Sequence, residues 1–335
     1  MERKPLGRTG VEVSSLCFGT MSFGGAADEA TSAAMYRRCR EAGVNVFDCA
    51  NVYSAGVAEQ MLGRLMRGER DELVVTSKVG FAMGSDGNDR GLSRRHIVAS
   101  VEASLRRLDT DRLDLLFVHT FDARTPMEET LRALDTLVQA GKVLYTGASN
   151  WAAWQIALAL GISACEGLPS FACLQPMYNL VKRQAEVELL PLAEDQGLGV
   201  ITYSPLGGGL LTGKYGSSHR PEHGRLIENT MYASRYGADG YYGTAERFTA
   251  LAADVGVAPA TLAVAWVAAH PAVTAPIVGA RNVEQLDDSL ASVDVEMTRE
   301  LYEAIAALSP TPPPATDRNE EQSGVVYRGS KEDYR

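Results

Sequence analysis

Eight short apolar runs recur along this chain, and a helical pattern fits between each run and the next. Residues 15–19, 45–48, 73–78, 113–119, 143–147, 173–175, 200–203 and 273–278 read as buried parallel strands. Between them, Val98, Val101, Leu105 and Leu108 share one face of a helix opened by Ser93. Thr125-Pro126-Met127-Glu128 reads as a capping box with proline at the first helical position, and Gly141 ends that helix. Pro259 opens another helix, which reaches His270. Strand and helix alternating end to end predict an α/β fold, a (β/α)8 TIM barrel. A doubly wound sheet would place a G-x-G-x-x-G turn after the first strand, and Gly19-Thr20-Met21-Ser22-Phe23-Gly24-Gly25 lacks that spacing. The first residues, with the turn Arg8-Thr9-Gly10, predict an N-terminal β-hairpin that plugs the barrel floor.

One barrel accounts for residues 1–308, leaving 309–335 as a polar tail after a proline-rich stretch. Residues 206–242, after the seventh strand, are too long for an ordinary βα connection. They fall at the C-terminal rim, where barrel active sites are built, so a lid over a ligand is expected there, and the tail is a second candidate to close over the site. The net charge of -10 argues against nucleic acid or an anionic membrane as partner. The N-terminus lacks a signal-peptide core, and no stretch reaches the roughly 18 apolar residues of a membrane helix. Five cysteines with no C-x-x-C pair fit free, mostly buried thiols in a reducing cytoplasm.

Three of the runs end in a titratable side chain: Asp48, Lys78 and His119 close the second, third and fourth strands. Tyr53 lies in the loop after the second. In a parallel barrel these four groups gather at one rim. A tyrosine titrates near pH 10, and a nearby ammonium lowers that value by stabilising the phenolate. Lys78 can be that ammonium, Asp48 can keep it charged and in place, and His119 can orient a carbonyl by hydrogen bonding. Together they are the parts needed to protonate a carbonyl oxygen.

Nine motifs in order make the chain resemble the aldo-keto reductase superfamily over roughly residues 3–308. They include Gly19-Thr20-Met21, Phe47-Asp48-Cys49-Ala50-Asn51-Val52-Tyr53, Thr76-Ser77-Lys78, Gly147-Ala148-Ser149-Asn150, Gln175-Pro176-Met177-Tyr178-Asn179 and Ile277-Val278-Gly279-Ala280-Arg281. The resemblance implies NADPH bound in extended form at the rim, with NADH less favoured and no metal. It implies that Asp48, Tyr53, Lys78 and His119 form a catalytic tetrad with Tyr53 as proton donor to an aldehyde or ketone. It also implies the reverse reaction, alcohol oxidation.

By the same resemblance, Ser149, Asn150 and Gln175 hold the nicotinamide carboxamide, and Tyr203 stacks on its ring. Ser204, Pro205, Leu206, Gly207, Gly209, Leu211 and Lys214 fall in the pyrophosphate loop. Arg281, after Val278, Gly279 and Ala280, falls where the family grips the 2′-phosphate, which a guanidinium suits. Gln285, Asp288 and Ser289 align with the adenine-contacting helix, with Ser289 in place of the commoner Asn. Ser54 replaces a commoner Gly after Tyr53, and Cys49 a commoner Thr beside Asp48. Some relatives of this kind are regulatory subunits, the potassium-channel β subunits among them, which gives a non-enzymatic alternative.

Two other patterns lead elsewhere and are set aside. Gly208 to Lys214 fits G-x-x-x-x-G-K, but Tyr215 stands where a P-loop needs Ser or Thr. His219 and His223 have ligand-like spacing without further metal ligands nearby. Phe23, Phe81, Phe121 and Trp151 are the expected aromatic walls of a substrate pocket, with Met83, Tyr232 and Tyr236 as further rim candidates.

Overall fold

The computed structural model describes residues 1–318. An antiparallel hairpin, β1 (Arg3–Pro5) and β2 (Glu12–Ser14), precedes eight parallel strands. These are β3 (Cys17–Gly19), β4 (Val46–Asp48), β5 (Val74–Val79), β6 (Leu113–Val118), β7 (Val143–Ser149), β8 (Phe171–Gln175), β9 (Gly199–Thr202) and β10 (Ala275–Val278). They close into a barrel in sequence order, with β10 paired to β3. The helices between them are α1 (Glu29–Glu41), α2 (Val57–Leu65), α3 (Arg94–Leu108), α4 (Met127–Gln139), α5 (Ala153–Glu166) and α6 (Leu189–Gln196). After β9 come α7 (Arg225–Glu228), α8 (Thr230–Tyr236), α9 (Asp239–Asp254) and α10 (Pro259–Ala268), and after β10 come α11 (Val283–Leu290) and α12 (Arg299–Ala306).

Strand alternation sorts the side chains into two cores. Val46, Val74, Leu115, Phe117 and Cys173 point into the barrel, while Phe47, Val75, Leu116 and Leu174 pack outward under the helices. Leu6 and Val13 of the hairpin join the inner core, and Gly7 lies so close to Gly199 that a Cβ there would sit 2.5 Å from its backbone nitrogen. The hairpin therefore plugs the floor. Two residues further along each strand the period of two brings Asp48, Thr76 and Gln175 inward, and Lys78 follows Thr76. The interior thus changes from apolar at the floor to polar at the C-terminal rim.

One local expectation is corrected. Pro126, not Thr125, is the N-cap of α4, and no side chain caps it. The Thr125 hydroxyl instead donates to Asp122, which already accepts from the Leu92 and Arg124 backbone. Residues 206–242 are folded, built from a turn at Gly207–Gly209, then α7, α8 and the start of α9, with Tyr215, Tyr232, Tyr236 and Tyr242 buried. The tail beyond Arg318 lies outside the described residues, and with it the expectation that it closes over the site.

Candidate active site

Asp48 ends β4, Lys78 is the penultimate residue of β5, and His119 follows β6 directly. Lys78 Nζ donates to Asp48 Oδ2 at 2.5 Å, to the Cys49 carbonyl at 2.7 Å and to Tyr53 Oη at 3.2 Å. That uses all three ammonium protons. Asp48 Oδ1 accepts from Thr76 Oγ1 at 2.8 Å and Gln175 Nε2 at 2.9 Å. Lys78 and Asp48 are almost wholly buried, so the pair is fixed by its own hydrogen bonds and not by solvent. The rings of Tyr53 and His119 meet edge to face at 6.1 Å, and Phe81 covers the other side of His119 at 4.5 Å.

Tyr53 opens a tight turn held at some conformational cost. Ser54 and Ala55 both adopt left-handed backbone angles, φ 47° and 53°. Such angles disfavour side chains. Ser54 offsets part of this by donating to the Phe23 carbonyl at 2.8 Å, which explains how it replaces a glycine.

Burial weighs against the Lys78 ammonium, but Asp48 and Tyr53 outweigh it and hold the amine above its usual range. Burial pushes the Tyr53 phenol up to about 12, against the lowering pull of Lys78. This corrects the expectation that the ammonium would lower it on balance: the ring is too deeply enclosed. Tyr53 is therefore protonated at neutral pH. Burial and then the Lys78 charge bring His119 down to about 2, so its imidazole is neutral. His119 Nδ1 is buried with no partner among the described residues.

These groups open into a cleft of about 700 Å³ across the rim. Of the residues expected to hold a cofactor, Gly19, Met21, Ser149, Asn150, Gln175 and Tyr203 line it. So do Ser204, Pro205, Leu206, Gly209 and Lys214, and at the far end Val278, Gly279, Ala280, Arg281, Gln285 and Asp288. Several are already tied together. The Asn150 amide donates to the His119 carbonyl at 2.9 Å and accepts from Tyr203 Oη at 2.7 Å. The Ser149 hydroxyl donates to the Gln175 carbonyl.

Four expected contacts lie behind the lining. Thr20 is buried and bonds the Asp48 carbonyl through its hydroxyl, Gly207 and Leu211 are buried under the turn, and Ser289 is buried on the inner face of α11. Among the aromatic residues expected in the substrate pocket, only Phe81 lines the cleft. Phe23 is core, packed on Phe18, because its loop folds inward. Phe121 and Trp151 pack edge to face at 5.1 Å, and Trp151 borders a separate 250 Å³ pocket. Met83 is also absent from the cleft lining, whereas Tyr232 is on it.

Sequence reasoning missed two cleft cations, Arg225 and Arg235, which come from the folded rim segment. Nothing in the sequence marks them, because no motif surrounds them. Arg225, Lys214 and Arg281 act on one another: burial, then the charges of Arg281 and Arg225, lower the Lys214 amine. This cluster, with the glycine turn beside it, fits the phosphates of a dinucleotide. A Cβ at Gly209 would touch only the Lys214 side chain, at 3.7 Å.

The aldo/keto reductase family model matches residues 15–310. A rice protein (Oryza sativa subsp. japonica) described as "Probable voltage-gated potassium channel subunit beta" is 39% identical over 95% of this chain and 99% of its own length. An Arabidopsis thaliana protein with the same description is 39% identical over 88% of this chain and 92% of its own length. An uncharacterized oxidoreductase of Bacillus subtilis is 38% identical over 93% of this chain and 97% of its own length. With a closed (β/α)8 barrel and a match across nearly its whole length, the chain belongs to the aldo/keto reductase family, which generally uses a nicotinamide cofactor.

Proposed function

We propose that this chain is an NADPH-dependent reductase of a small aldehyde or ketone, working in the cytoplasm, and that the same site runs in reverse as alcohol oxidation. The observation that carries the reading is the buried chain Asp48–Lys78–Tyr53, which presents a protonated phenol to the cleft. The chemistry supplied by the bound cofactor is hydride donation to the carbonyl carbon. Tyr53 gives its proton to the carbonyl oxygen, and Lys78 stabilises the phenolate left behind. His119, being neutral, can donate a hydrogen bond to the same oxygen without adding a competing acid. Lys214, Arg225 and Arg281 would hold the cofactor's phosphates, with Arg281 selecting the 2′-phosphate.

A screen of carbonyl compounds with NADPH and NADH tests this. Carbonyl-dependent oxidation of NADPH, faster than that of NADH, is expected. Binding of NADPH with no turnover on any carbonyl would instead favour a regulatory subunit, the reading suggested by the description of the two plant relatives.

A further inference from the structure

The cleft lining carries four cations, Lys214, Arg225, Arg235 and Arg281, against Asp288 and the already paired Asp48. Three of the four cluster around Lys214 at one end. Arg235 shares the Tyr232 ring with Arg225. It acts on Tyr203, whose hydroxyl bonds Asn150 beside His119. Of the four, Arg235 is the one whose charge reaches Tyr203, in the hydrogen-bonded chain that runs through Asn150 to the His119 carbonyl.

Its position is built, not incidental. Tyr232 is buried with its ring against Gly208, where a Cβ would sit 2.6 Å from the ring. The Arg225 and Arg235 guanidinium carbons lie 5.0 and 5.5 Å from the centre of that ring. Stacking of this kind restrains a long side chain that would otherwise sample many rotamers. Among the described residues Arg235 has no carboxylate partner and no hydrogen bond, a state it shares with Arg225, whereas Arg220 and Arg247 each donate to a backbone carbonyl. A half-buried guanidinium with five free donors in a cleft is matched by an anion, and its planar fork matches a carboxylate. Apolar surface adjoins it: Met21, Phe81 and Met231 line the same cleft and are each more than 40% exposed.

We propose that Arg235 anchors a carboxylate on the substrate, so that the preferred carbonyl compound carries an acid group at the end remote from the reacting carbon. This rests on the carbonyl-reductase reading and narrows its substrate class. Arg235 is a specificity residue here, and it takes no part in proton transfer.

The test compares 4-carboxybenzaldehyde with its neutral isostere 4-carbamoylbenzaldehyde, using NADPH and both the unaltered protein and Arg235→Met. The unaltered protein should favour the acid by about 10- to 100-fold in kcat/KM, through KM. In Arg235→Met the ratio should collapse to about one, with NADPH affinity, read by fluorescence quenching, little changed. Equal use of the two aldehydes by the unaltered protein would overturn the proposal. So would an Arg235→Met variant that loses NADPH affinity and both substrates alike, since Arg235 would then hold the cofactor. A readout without turnover separates this from failure of the reductase reading. In calorimetry with NADP⁺ present, terephthalate should bind more tightly than terephthalamide, and only in the protein with Arg235. That result would stand even if no aldehyde were reduced, and absence of the preference would overturn the subsite.

Discussion

Gln175 donates its amide to the Asp48 carboxylate at 2.9 Å, joining the end of β8 to the end of β4 across the barrel mouth. With Thr76 and Lys78 this gives Asp48 three side-chain donors, so the carboxylate that anchors the lysine is itself fixed from two other strands, β5 and β8. Proton transfer in the cleft depends on that rigidity, because Tyr53 touches the network only through Lys78.

Replacing Lys78 with Met should shift the alcohol-oxidation profile toward alkaline pH. Lys78 is the group that lowers the Tyr53 phenol, while burial and Asp48 raise it. Without the ammonium the phenol titrates higher, and tyrosinate, the base for oxidation, becomes scarcer at any given pH. Breaking the buried pair should also destabilise the fold by about 3 to 5 kcal/mol, measured by urea unfolding. An unshifted profile would contradict the role given to Lys78.

Acid stability should report His119. Its folded pKa is depressed to about 2, whereas the free imidazole titrates near 6.5. Stability from this group is complete above about pH 6.5 and falls as pH drops toward 2, because only the unfolded chain takes up the proton. The slope is about 1.4 kcal/mol per pH unit. Between pH 7.5 and pH 5 the unaltered protein should lose about 2 kcal/mol more than His119→Gln. Equal losses would show that the imidazole is not held neutral.

Ala55→Gly should stabilise the protein. Ala55 sits at φ 53° directly after Ser54 at φ 47°, angles that glycine adopts freely. Relief of that strain, less the added chain entropy, gives an expected gain of about 0.5 to 1 kcal/mol by thermal unfolding. A loss of stability would mean that the turn carries no strain at this residue.

Gly208→Ala should do the opposite. Gly208 has φ 68°, and its Cβ would meet the Tyr232 ring at 2.6 Å. We expect a loss of about 1 to 3 kcal/mol. The rim segment should lift from the glycine turn and weaken NADPH binding, seen as a raised Kd in fluorescence titration. Unchanged affinity would show that the segment does not depend on this contact.

Most of the barrel was legible because parallel strands buried on both faces write themselves as apolar runs, and three of those runs ended in Asp48, Lys78 and His119. The hairpin over the floor was legible from its turn. Less visible was anything set by a packing balance. Burial outweighs Lys78 at Tyr53, a comparison of two opposing effects that residue identities do not rank. Phe23 and Phe121 read as pocket walls because they follow strand ends, yet loop geometry turns them into the core or toward Trp151. Arg225 and Arg235 were hidden because their placement depends on Tyr232 docking on Gly208, a contact between residues without a shared pattern.

The central claim is that Tyr53 delivers the proton. The measurement is NADPH-dependent carbonyl reduction by Tyr53→Phe, alongside its NADPH affinity by fluorescence quenching. Loss of the hydroxyl should lower kcat by about 10²- to 10⁴-fold while leaving the affinity within about threefold. Turnover that survives undiminished, with the cofactor bound as before, would contradict the account.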